Sequence, residues 1–176
     1  MKVWKSRFTV MMVFVIGGSF FLSSSAQTQA LAQKLTCYSP EQAAAEQAIK
    51  FHSELLVIGL NCRNVQLGGQ LDSYAQYRRF TASHADLLAQ YERRLLGFFK
   101  QQGHSDPDKA LHTLRTDMAN KLAEFVARVR PDVFCHKYAG RLDRANAMQS
   151  KDFKKWAATY FPSSPPSKEY CTEPSQ

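Results

Sequence analysis

The sequence has no Asn-x-Ser/Thr sequon, no two cysteines within C-x2–4-C spacing, and no motif of a common catalytic family. Each absence narrows the field. Without close cysteine pairs, the four cysteines do not make a finger-type zinc site. Without G-x-S-x-G, H-E-x-x-H or a Gly-rich phosphate loop, no serine nucleophile, zinc protease or nucleotide cradle is encoded locally. Asp106, Asp108 and Asp117 are not at EF-hand spacing. The missing sequon suits a bacterial rather than a eukaryotic exported chain. Beyond residue 26 no apolar run approaches the roughly 20 residues needed to span a bilayer. Alternating β patterns and internal repeats are absent as well.

What is present at the N-terminus points to export. Lys2, Lys5 and Arg7 precede a 13-residue, largely apolar run from Val10 to Leu22, and small residues end at Ser24-Ser25-Ala26. A basic start, a short apolar stretch and a small-x-small site make a cleavable signal peptide over 1–26. Ala30-Leu31-Ala32 offers a second cleavage site. Loss of three basic residues lowers the formal charge from +8 to +5 (8 − 3). That excess suits an anionic envelope or extracellular partner and is too low for a nucleic-acid binder. The expected location is periplasmic or secreted, with no transmembrane segment in the mature chain.

The remaining pattern is helical. After a lead-in over 27–39, Ser39-Pro40-Glu41-Gln42 is a capping signature. Helix 1 then runs to about Cys62, with Ala45, Ala48, His52 and Leu55 at helical spacing. Tyr77, Phe80, His84, Leu87, Tyr91, Leu95 and Phe98 predict one long helix 2, closed by Gly103. Ser105-Asp106-Pro107 starts helix 3, whose stripe of Leu111, Leu114, Met118, Leu122, Phe125 and Val129 stops at Pro131. Helix 4 covers roughly 132–147, and Ser150 caps a short fifth helix with Phe153, Trp156 and Tyr160. The predicted fold is all-α: an up-down bundle of four main helices plus a short fifth over 40–161. A Pro-rich extended tail, 162–176, follows.

An even cysteine count in an exported chain reads as two disulfides. Helix 1 separates Cys37 from Cys62 by roughly 30 Å, whereas bonded cysteines have Cα atoms within about 7 Å. In an up-down bundle Cys62 and Cys135 share one end, and Cys37 and the tail's Cys171 share the other. The expected pairs are therefore Cys62–Cys135 and Cys37–Cys171.

Cys135-His136 within Asp132-Val133-Phe134-Cys135-His136 resembles the end of a C-x-x-C-H haem-attachment motif. In this and in its bundle architecture the chain resembles the cytochrome c′ family, which builds exported four-helix bundles with that motif on the last helix. The resemblance implies covalent haem, but Asp132 stands where the first haem thiol belongs.

Two site candidates remain. Antiparallel alignment of helices 1, 2 and 3 brings His52, His84 and Glu124 level, a ligand set that zinc or iron accepts. The same residues also read as ordinary hydrogen-bonded neutral histidines beside a carboxylate. Arg78, Arg79, Arg93, Arg94 and Arg128 offer a basic surface for an anionic partner, or a solvated face laced with Asp86 and Glu92. The leading expectation is a non-catalytic exported interaction module without a cofactor. The alternative is a metal- or cofactor-binding bundle.

Overall fold

The computed structural model describes residues 36–65 and 72–171. The expected signal segment 1–26, most of the lead-in, residues 66–71, where Leu67-Gly68-Gly69 reads as a helix-ending signal, and residues 172–176 lie outside them. The described chain is an all-α bundle.

Helix α1, Pro40–Asn61, opens on a complete capping box. Gln42 N–H donates to Ser39 Oγ at 3.3 Å, and Ser39 N–H donates to Gln42 Oε1 at 2.8 Å. These bonds satisfy donors that a helix start otherwise leaves orphaned. At 22 residues α1 is about 33 Å long. It is not one of four equal helices but the axis of the bundle, packed against each of the other six helices named below among the described residues. Its buried residues accordingly lie on most of its circumference, from Ala43 and Ala45 to Phe51, Leu55 and Ile58. Gly59 allows a close approach, since a Cβ there would lie 3.1 Å from Tyr77 Cβ.

The expected helix 2 is divided into α2, Ser73–Ser83, and α3, Ala85–Gln101. The joint is His84, at φ −119° and ψ 17°. His84 N–H still donates to Phe80 O at 3.1 Å, and Leu88 N–H donates to His84 O at 2.9 Å, so the break is a one-residue kink. The kink serves two sets of neighbours: α2 packs on α1 and α6, whereas α3 packs on α1 and α4.

Gly103, at φ 81°, turns the chain as expected. Asp106 Oδ1 then accepts from Lys109 N–H at 2.9 Å to start α4, Pro107–Val126. Helix α4 ends before Val129, and Pro131 does not stop it but opens the next helix, α5, Pro131–Tyr138. Proline's fixed φ and missing N–H suit that first position. The expected helix 4 is also two pieces, α5 and α6, Gly140–Ala147, with a tight step at Ala139. Helix α7 is Ser150–Ala157, with Gln149 rather than Ser150 at its N-cap. The Ser150 hydroxyl is instead 3.3 Å from His84 Nδ1.

Phe153 of α7 is the hub of the core. It is fully buried, with its ring 5.2 Å from Phe80, 6.0 Å from Phe51 and 6.2 Å from Tyr91.

Both disulfides join the expected partners. Cys62–Cys135 ties the end of α1 to α5 at a Cα separation of 5.4 Å, and Cys37–Cys171 ties the tail to the lead-in at 4.9 Å. From Phe161 the tail returns to the start of α1 and makes a lone parallel β-bridge between Tyr38 and Tyr170. Tyr38 N–H donates to Glu169 O at 2.8 Å, and Cys171 N–H donates to Tyr38 O at 2.9 Å. Beneath the tail, Glu46 of α1 is buried and accepts from Ser167 N–H at 2.6 Å and from the Ser167 hydroxyl. The Tyr38 hydroxyl also hydrogen-bonds Glu46, and burial followed by this carboxylate's charge raises the phenol pKa.

Candidate functional site

The histidine layer does not assemble. His52 is buried, with Nε2 3.0 Å from Thr81 Oγ1 and its ring stacked 5.2 Å from Tyr77. The Thr81 hydroxyl donates its proton to Tyr77 O at 2.9 Å, so its oxygen is left to accept from His52 Nε2–H. His84 faces Phe80, Phe153 and Ser150, while Glu124 is exposed on α4. Among the described residues no three His, Cys, Asp or Glu side chains form a group able to hold a metal. Register explains this outcome: α1 meets α2 at Thr81, one turn before His84, and Glu124 points away from the core. Burial drives His52 down to about 4, with Arg115 adding a smaller push, and burial lowers His84 as well. Cys135 is bonded to Cys62 and has no thiol for a haem thioether.

Arg78 and Arg79 on α2, Arg93 and Arg94 on α3, and Arg128 beyond α4 are all exposed. Among the described residues none of the five pairs with a carboxylate. The kink at His84 lies between the two arginine doublets, so their spacing along one helix no longer sets a common face. Glu92, one of the expected lacing carboxylates, is taken by Arg115 at 2.6 Å.

A more concentrated group of cations surrounds a cavity of about 330 Å³ between α1, α6, α7 and the tail. Gln47, Lys50, Phe51 and Glu54 present one face of α1 to it, at steps of three and four residues. Gln47 Nε2 donates to Trp156 O at 3.0 Å and Thr159 O at 2.9 Å. It thereby satisfies carbonyls at the end of α7 and fixes that helix against α1. Lys50 Nζ donates to Ser164 Oγ at 2.5 Å and so reaches the tail wall.

Arg141 Nη1 donates to Glu54 Oε2 at 2.9 Å, and its guanidinium lies 5.1 Å from the Tyr138 ring centroid. Burial raises the Glu54 pKa, and the Arg141 and Lys50 charges oppose that shift. Arg144, one turn along α6, also lines the cavity and has no ion-pair partner among the described residues. Three cations thus share one carboxylate. The lining is also aromatic: Phe51 and Trp156 centroids are 4.5 Å apart, and Trp156 and Phe161 are 5.6 Å apart.

Two other cavities hold two Lys or Arg side chains each rather than three. One sets Lys109 and Lys168 against Asp106 and Asp117, a balanced lining. The other has Arg94 and Lys154 against Glu41, with Tyr91 and Tyr170 as its rings.

Compared with known protein families, characterised proteins and solved structures, the chain matches none. Site residues come only from its own geometry. Lys50, Glu54, Arg141 and Arg144 were not among the sequence-predicted candidates. Gln47, Lys50 and Glu54 have the helical spacing of a solvent face, and nothing local shows that the tail returns over them. Trp156 was visible only as an apolar position of the last helix.

Proposed function

We propose that this protein is an exported, non-catalytic helical binding module whose partner is anionic and is met at the cavity of Lys50, Arg141 and Arg144. The observation that carries this reading is the convergence of three cations and one carboxylate, Glu54, on a single aromatic-walled cavity. Low-dielectric walls strengthen the attraction of such a group for negative charge. Export is supported by the N-terminal pattern and by two disulfides, which persist in oxidising compartments. No described helix is long and apolar enough to cross a membrane.

The reading is tested by equilibrium binding of the disulfide-intact protein to four acidic probes: an acidic peptide, inorganic phosphate, 3-phenylpropionate and vesicles of anionic lipid. Saturable binding to at least one is expected, weakened by added salt and by Arg144→Glu. Absence of binding to all four, or equal binding by the variant, overturns the reading.

A further inference from the structure

Resting on that anionic-partner reading, we propose that the cavity takes a small organic acid: a single carboxylate on an apolar, ring-bearing body. Three observations select this class. The first is size. About 330 Å³ is at the low end of the roughly 300–1,000 Å³ of small-molecule sites, enough for one compact ligand.

The second is the composition of the lining. Phe51, Trp156 and Phe161 form a continuous run of rings in it. Aromatic faces favour offset or edge contact with another apolar ring, and they give nothing comparable to inorganic phosphate. An extended polyanion would instead need cations distributed along a track, and here they converge on one cavity.

The third is which cations are available. Arg141 is held by Glu54 and by Tyr138. Lys50 spends one of its donors on Ser164, leaving two. Arg144 has no ion-pair partner among the described residues. Its planar guanidinium fits a carboxylate in a two-pronged contact. One carboxylate between Lys50 and Arg144 would neutralise part of the excess charge while its ring lies on Trp156. The same chemistry is found in a free aromatic acid and in the C-terminal residue of a peptide ending in Phe.

Trp4 and Trp156 are the only tryptophans, so fluorescence reports the cavity and a Trp156→Phe variant identifies that signal. The exported, disulfide-bonded protein is titrated with 3-phenylpropionate, its uncharged amide, ring-free propionate, and acetyl-Leu-Phe as acid and as amide, with calorimetry as a second readout. Saturable binding of at least one ring-bearing acid is expected, with its amide and propionate weaker by about tenfold or more, the loss typical of a charged hydrogen bond or a ring contact. Arg144→Ala should weaken the acid by a similar factor, and Arg144→Lys should recover part of it. Arg144 is exposed, so neither variant should shift the melting temperature. Preference for 3-phenylpropionate over acetyl-Leu-Phe assigns a free metabolite-like acid, and the reverse assigns a peptide C-terminus. If acids and amides bind alike, or Arg144→Ala has no effect, the proposal fails. Arg144-dependent binding of acidic peptide or anionic vesicles without ring-bearing acids overturns this ligand class while leaving the anionic module standing.

Discussion

The two ends of α1 are closed by the same kind of bond in different surroundings. At its C-terminal end Cys62 and Cys135 are almost fully buried, and the bond joins two helices whose side chains already pack together. At the other end Cys37 is buried but Cys171 is half-exposed, and the bond joins the tail to the short segment just before α1. There the local support combines the Tyr38 ring, buried against Phe98, with polar contacts: the Tyr38–Tyr170 bridge and the donors to Glu46. By loop entropy alone the two staples are similar, at about 4–5 kcal/mol each for loops closed by separations of 73 and 134 residues. Their difference therefore lies in what each one positions. The buried bond consolidates the core, while the outer bond holds the segment that supplies Phe161 and Ser164 to the cavity.

The largest effect should come from the buried end. Replacing Cys62 and Cys135 with serine removes the cross-link and also places two hydroxyls in an apolar core, at about 1–3 kcal/mol each where unbonded. Denaturant unfolding should show a loss of more than about 4 kcal/mol, near the whole stability of many domains of this size. A loss below about 1 kcal/mol would make the two ends equivalent in the opposite sense, with the core indifferent to its staple.

Cys37→Ser with Cys171→Ser should divide differently between stability and function. The unfolded chain gains the same order of entropy, about 5 kcal/mol, but the native tail is also freed to open locally. Ligand affinity should therefore fall in the disulfide-free variant even under conditions where circular dichroism shows the helices intact. The Cys62/Cys135 variant, examined while still folded, should keep its affinity. Equal affinities in both variants would show that the tail wall does not need its staple.

How much of this was readable from the chain follows from how local each feature is. Ser39 with Gln42, Asp106 with Pro107, and Gly103 are caps and turns whose chemistry is complete within four residues, and each sits where expected. The disulfide pairing was readable because a helix as long as α1 cannot bring Cys37 and Cys62 together. The kink at His84 and the early end of α4 were not, because both depend on packing partners: α2 and α3 answer to different neighbours. The metal layer failed on a one-turn register difference, which no periodicity can resolve. The cavity was hidden for a related reason. Its cations come from α1, α6 and the reach of Lys50 to a tail serine 114 residues away. Helical spacing cannot distinguish a face covered by a returning tail from one covered by water.

Midway along α1, His52 provides the smallest and most selective comparison, because it lies far from both staples and titrates within an accessible range. Burial holds its folded pKa at about 4, against about 6.5 for an unfolded histidine. Between those values the unfolded chain binds more protons than the native one, so stability must fall as pH drops from about 6.5 towards 4. Full protonation would cost about 3 kcal/mol on that interval, and His84, lowered in the same direction, adds to the slope. His52→Gln keeps a donor for Thr81 without a titrating ring. Urea unfolding at pH 7 and pH 4.5 should therefore show a smaller acid loss for the variant than for the parent. The difference should persist in both disulfide variants while they remain folded, since neither staple touches the His52–Tyr77–Thr81 contact. An unchanged acid loss in His52→Gln would mean that His52 is not the group that senses the proton. A difference that vanished only with the buried staple would mean that the core end controls the packing of α1 on α2 as far as Thr81.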